Sequence, residues 1–216
     1  MKRFLAATAA LGVLAAPASA NLLTNGSFET PQITGAPWFI RSFASTPGWT
    51  QFADGVDLIH NNYTQGPAVL VDASDGVQFL DMNQAGAIGG LFQVVGVTAG
   101  QMYNLSLDTT AWATNSRGGT IGYDLFDPNS NVVLATDSFT DPTGGTWVRR
   151  TLSATAASNQ IGVRIYGIAA AQAGMGLDNV VLTAAVPEPA SWALMILGFG
   201  FAGGSLRIRR PGVVFS

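Results

Sequence analysis

The chain has 216 residues, no cysteine, 26 glycines and a formal net charge of −3. Without cysteine there are no disulfides and no thiol chemistry, so an exported fold must rest on its hydrophobic core alone. Between Asn21 and Ala185 five arginines face twelve carboxylates, a net −7 with no lysine; this argues against nucleic acid, which needs clustered cations, and suits neutral sugars, cations or a basic partner.

In chain order, residues 1–20 read MKRFLAATAALGVLAAPASA. Lys2 and Arg3 form a positive start, Phe4 to Ala16 is apolar, and Ala18-Ser19-Ala20 is a small-residue cleavage site. That three-part order predicts a secretory signal peptide, with Asn21 as the first mature residue.

Residues 21–185 show period-two patterns separated by turn signals. MYNLSLD sets Tyr103, Leu105 and Leu107 against Asn104, Ser106 and Asp108, and IGVRIYG sets Ile161, Val163 and Ile165 against Arg164 and Tyr166. Further predicted strands are GVDLIH, AVLVDA, GVQFLDMN, GGLFQVVGV, TIGYDLFD, NVVLATDSF, TWVRRTLSAT and MGLDNVVLTA. Turn clusters at DPNSN, DPTGG and TAGQ divide them. No stretch holds a helical apolar period. About ten short strands in one domain predict an all-β fold, an antiparallel β-sandwich of jelly-roll type.

The segment offers little for catalysis. His60, the one histidine, ends a predicted strand at a polar loop and reads as a hydrogen-bonded loop residue. No G-x-S-x-G elbow surrounds a serine. Asp72, Asp75 and Asp81 lie close together, as a glycosidase pair must, but DASDG is also an ordinary turn. The expectation is a protein that is not an enzyme. Flat aromatic rings are the natural partners of sugar faces, and Trp38, Tyr63, Trp49, Trp112 and Tyr123 are the candidate ligand-binding residues. Trp38 and Tyr63 fall in Gly/Pro/Asn-rich loops; Trp49 and Phe52 fit a core equally well.

The C-terminal stretch from Val186 is VPEPASWALMILGFGFAGGSLRIRR, followed by a short tail over 211–216. Residues 190–206 are uncharged and nearly all apolar, at the short limit for a transmembrane helix. Arg207, Arg209 and Arg210 would hold that flank in the cytoplasm. Pro187, Glu188 and Pro189, the apolar helix and the arginines together resemble the PEP-CTERM sorting signal of Gram-negative bacteria, here over 186–210. The resemblance implies export by the Sec pathway, a transient inner-membrane anchor, cleavage near Pro-Glu-Pro by an exosortase, and release to the cell surface or extracellular matrix. Ile208 among the arginines and the trailing PGVVFS depart from the pattern.

A second resemblance spans most of 21–185. LLTNGSFETP from Leu22, GWTQF with VDLI, GVQFLDMNQAGAIGGLFQVVGVTAGQMYNLSLD from Gly76, and GLDNVVL from Gly176 resemble, in that order, exported proteins with a galactose-binding-like jelly roll. Carbohydrate-binding modules with a similar opening and closing belong to the same structural group. The resemblance implies a structural calcium shared by Glu29 and Asp178; a turn cap at Glu29 and backbone bonding at Asp178 are the alternative. It also implies polysaccharide binding in the envelope or biofilm. A structural or adhesive matrix protein and a surface glycosidase remain the alternatives.

Overall fold

The computed structural model describes residues 20–40, 46–52, 56–64, 71–82, 89–111, 119–141, 145–169, 174–185 and the helix Pro189–Arg207. The expected signal peptide, Pro187, Glu188, Arg209, Arg210 and the tail lie outside the described residues, apart from Ala20. Eleven strands are described: β1 Phe39–Ile40, β2 Thr50–Phe52, β3 Asp57–His60, β4 Gln78–Asp81, β5 Gly90–Gly96, β6 Met102–Ala111, β7 Gly119–Asp127, β8 Val132–Asp141, β9 Val148–Thr155, β10 Gln160–Ala169 and β11 Met175–Ala184. They form a six-stranded sheet, β1-β3-β4-β11-β6-β9, and a five-stranded sheet, β2-β5-β10-β7-β8. Every pairing is antiparallel.

The two sheets pack face to face because alternation gives each an apolar side. Tyr103, Leu105 and Leu107 of β6 and Ile161, Val163 and Ile165 of β10 all enter one buried core. Among the described strands the chain changes sheet at every connection except β3 to β4 and β7 to β8. The strand that follows therefore buries its apolar side against the one before it. At the sandwich rim, the Arg150 guanidinium of β9 lies 3.5 Å from the ring centre of Phe139 on β8, bridging the two sheets.

The N-terminal segment docks along the last strand. Asn21 donates from its side-chain amide to the Val180 carbonyl at 3.0 Å and accepts from Leu182 N at 2.9 Å. Val180 N donates to the Gly26 carbonyl at 2.9 Å. A Cβ at Gly26 would sit 2.0 Å from the Val180 oxygen, so this approach requires glycine.

Two expectations need correction. Val71, Asp72 and Ala73 of AVLVDA form no strand; they belong to a loop drawn over the outside of the six-stranded sheet. Their apolar side chains cover Ile59 and Phe79, so the alternation marks a lid rather than a ladder. The expected transmembrane span 190–206 is a helix, Pro189–Arg207, but among the described residues no helix is long and apolar enough to cross a membrane. Nineteen residues rise about 28 Å. Its described side chains, from Leu194 to Gly204, are exposed all round. The short strands β1 and β2 were beyond the reach of periodicity, which needs more than two or three residues to register.

Candidate functional site

On the five-stranded sheet Tyr123, Leu125, Val163 and Ile165 enter the core, so their strand neighbours point away from it. Strand pairing sets these outward residues in rows. One row runs Phe52, Gly90, Tyr166, Gly122, Ser138 across β2, β5, β10, β7 and β8. The next runs Thr50, Phe92, Arg164, Asp124, Thr136. A third holds Val94, Gly162 and Phe126.

Glycines on neighbouring strands decide how the rings lie. A Cβ at Gly90 would stand 2.3–2.8 Å from three ring atoms of Phe52. One at Gly122 would stand 2.6 and 2.7 Å from two ring atoms of Tyr166, and one at Gly162 would stand 2.3–2.8 Å from three ring atoms of Phe126. No real side chain fits in those gaps, so glycine is what lets each ring lie over the adjacent strand. Phe52 remains 37% exposed and Tyr166 is half-buried. Phe92 stands between, 6.3 Å from Phe52 and tilted 45°, and 6.4 Å from Phe126 at 69°.

One ion pair sits among these rings. Arg164 donates from Nε and Nη2 to Asp124 Oδ2 at 3.0 and 2.8 Å. Its guanidinium carbon lies 5.1 Å from the Phe126 ring centre and 5.9 Å from that of Tyr166. Asp124 is almost wholly buried, and its Oδ1 has no hydrogen-bond partner among the described residues. Burial raises the Asp124 carboxyl above the ordinary carboxylate value, and the Arg164 bonds pull the other way. The face can therefore offer apolar rings and a charge-balanced polar centre. Sequence reasoning missed Phe92, Phe126 and this use of Phe52 and Tyr166. The available signal was glycine inside a strand, at Gly122 in TIGYDLFD and Gly162 in IGVRIYG, which marks close approach by a neighbour.

Of the five aromatics expected to bind ligand, the four that are described are not brought together. Trp49 is buried, its ring 5.6 Å from Phe28 and its Nε1 donating to the Asn25 carbonyl at 3.1 Å. Tyr123 is buried too, its hydroxyl donating to Asp137 Oδ2 at 3.0 Å. Burial and that bond push the Tyr123 hydroxyl up to about 12. Both expectations are corrected: these rings fill the space between the sheets and present no face to a ligand. Trp38 is half-buried against the core, 4.9 Å from the His60 ring, with φ 65°. Tyr63 packs 5.0 Å from Phe39 in the smaller cluster outside the six-stranded sheet. Trp112 lies outside the described residues. His60 Nδ1 accepts from Asn62 N at 3.0 Å, as a loop histidine should.

Glu29 and Asp178 bond to different amides of one turn, in the loop over the six-stranded sheet. Glu29 Oε1 accepts from Val77 N and Gln78 N at 2.8 and 2.9 Å. Asp178 Oδ2 accepts from Asp75 N at 2.8 Å and its Oδ1 from Asn179 N at 2.6 Å. Ser27 donates to Asp75, and Ser74 to Asp108, which also pairs with Arg149 at 3.0 Å. Trp147 Nε1 donates to the Asp72 carbonyl at 2.7 Å. Burial pushes Asp178 up to about 8 despite its backbone bonds. An all-oxygen, acidic donor set of this kind matches calcium chemistry in type. Among the described residues, though, no group of three or more His, Cys, Asp or Glu is placed to hold a metal. The geometry present is a capped turn.

The fold and the C-terminal signal define the class: a secreted antiparallel β-sandwich carrying a PEP-CTERM protein-sorting motif, matched at residues 185–210, with a membrane-anchored sorting step. Residues 21–181 match the family described as "Protein of unknown function (DUF642)", and the chain belongs to that family. No curated protein matches the chain. Among solved structures, TmCBM61 in complex with β-1,4-galactotriose is 18% identical, with a TM-score of 0.52 over 77% of this chain and 100% of that one. Arabinose-bound MgGH51 α-L-arabinofuranosidase is 19% identical, with a TM-score of 0.50 over 77% of this chain and 26% of that one. The active domain of tailspike protein 4 from Bacteriophage CBA120 is 17% identical, with a TM-score of 0.47; 76% of this chain spans 21% of it. At these identities the likeness is one of fold.

Proposed function

We propose that this is a non-catalytic surface or matrix protein that binds polysaccharide on the outer face of its five-stranded sheet. The observation that carries the reading is the set of rings laid over glycines, with Phe52 and Tyr166 reaching solvent beside the Arg164–Asp124 pair. Sugars stack their apolar faces on such rings and bond their hydroxyls to adjacent polar groups. The fold of TmCBM61, which holds a galactotriose, and the sorting motif both agree with this reading. Exosortase would cut near Pro187–Pro189 and free the domain to the Gram-negative cell surface or biofilm matrix. His60 accepts a bond from its own loop and packs against Trp38, its ring tilted 36°, which leaves it poorly placed as a general base.

A glycan array probed with the full chain in mild detergent tests the reading. Neutral glucans, mannans or galactans should bind with Kd of about 10 μM to 1 mM. A folded protein that binds none of them, yet crosslinks to a surface protein in its host, is a structural matrix component instead. Calcium belongs to the same proposal, shared by Glu29 and Asp178 at the capped turn. Millimolar calcium should raise Tm, because it would bind only the folded state, and Glu29→Gln or Asp178→Asn should each remove most of the gain. An unchanged Tm in wild type removes calcium from the proposal.

A further inference from the structure

We infer that the polysaccharide is an extended, neutral 1,4-β-linked pyranose chain lying across the strands, with alternate sugars stacked on Phe52 and Tyr166. This rests on the binding face proposed above and specifies its ligand. The argument is one of spacing. Gly90 and Gly122 both oppose Tyr166, one from β5 and one from β7. The Phe52 ring lies over Gly90 and the Tyr166 ring over Gly122. The two rings therefore rest two strands apart, about 9.5 Å at the usual strand separation.

A pyranose chain joined through equatorial bonds at both ends is nearly straight. Each sugar is turned about half a rotation from the last, so every second sugar shows the same face in the same line. That two-sugar repeat is close to the two-strand interval. A chain with an axial linkage, as in α-1,4-glucan or β-1,4-galactan, curls, and its alternate sugars leave the line. Within the row, Gly90 lies beneath the Phe52 ring, small Ser138 follows Gly122 on β8, and exposed Ile168, whose Cδ1 also lies over Gly122, flanks the Tyr166 ring.

Chemistry beside the row agrees. Arg164 commits Nε and Nη2 to Asp124, while its Nη1 makes no hydrogen bond among the described residues; its guanidinium carbon lies 5.9 Å from the Tyr166 ring centre. It can donate to a sugar hydroxyl from the neighbouring row. Asp124 already balances its charge, so among the described residues the face has no spare cation for a uronic acid. Phe92, tilted from Phe52, forms a side wall rather than a third flat platform.

The test is calorimetry on the full chain with cello-, xylo- and manno-oligosaccharides of two to six sugars, against malto- and galacto-oligosaccharides of the same lengths. Affinity should step up about fivefold or more from two sugars to three, the shortest chain that reaches both rings. Phe52→Leu and Tyr166→Leu keep an apolar cover without a flat ring and should each erase the step; Tyr166→Phe should keep it. Melting curves check that the variants fold, and the wild-type length series decides alone if a leucine variant does not. Equal binding of the curled chains, or no step at three sugars, overturns the extended-chain inference and leaves polysaccharide binding standing. A step that survives both folded leucine variants overturns it as well. Failure of the folded wild type to bind any of these sugars removes the binding face, and this inference with it.

Discussion

The outer faces of the two sheets come from the same alternating strands and end up as chemical opposites. On the five-stranded sheet, outward positions hold Phe52, Phe92, Tyr166 and Phe126, laid over or beside glycines, with one balanced ion pair. On the six-stranded sheet they hold Asp108 and Asp178, and the chain itself covers them with the turn of residues 72–77. Ile59 and Phe79, the apolar outward residues there, are likewise sealed by Tyr63, Val71, Ala73 and Trp147. One face has spent its contacts internally; the other keeps aromatic surface reaching solvent. An outward ring thus says little until it is known what the rest of the chain lays over it. Trp147 and Tyr166 both precede or occupy strands, yet only Tyr166 lies on the uncovered face.

The largest expected effect sets the scale for a ring that belongs to neither face. Trp49→Ala removes a buried ring and a hydrogen bond, and should cost about 3–5 kcal/mol in urea unfolding. A cost below about 1 kcal/mol would show that Trp49 is not core and would blur the line between core and platform rings.

A smaller effect probes the open face through its glycines. Gly162→Val places a side chain where the Phe126 ring lies and should destabilise by about 1–3 kcal/mol. Gly96→Val, on the same sheet, meets nothing within 4 Å and should be close to neutral. If the two substitutions shift Tm equally, the rings do not rest on the glycines.

A further effect concerns the covered face and is read from pH. The folded-state value of Asp178, about 8, lies above its ordinary 3.8. Its contribution to stability is therefore fully present below pH 4 and is lost as pH rises through about 8. The difference in Tm between wild type and Asp178→Asn should change steadily across that interval, with wild type losing ground toward pH 8. A constant difference would mean that a cation or another group compensates the buried carboxylate.

Much of the fold was legible because alternation is local. Tyr103, Leu105 and Leu107, or Ile161, Val163 and Ile165, are apolar at every second position, and any sheet they join must bury that side. The sorting signal was legible for a similar reason, since it is a linear order of Pro-Glu-Pro, apolar residues and arginines. The same locality produced the errors. Val71, Asp72 and Ala73 continue the alternation of AVLVDA but cover a strand, whereas Ile121, Tyr123 and Leu125 alternate in TIGYDLFD, a signal that already put the Tyr123 ring on the core side.

What the sequence determined by itself was which residues share a side of each strand and how the C-terminal signal is ordered. What only the tertiary structure decided was which strands stand next to each other. Gly90, Tyr166 and Gly122 come from three separated segments, and nothing local relates them. Their meeting depends on register between β5, β10 and β7, which is set by how the whole core closes. A slip of one residue would turn every ring to the opposite side of the sheet. That Glu29 and Asp178 both bond to amides of one turn depends in the same way on the N-terminal segment docking along the last strand.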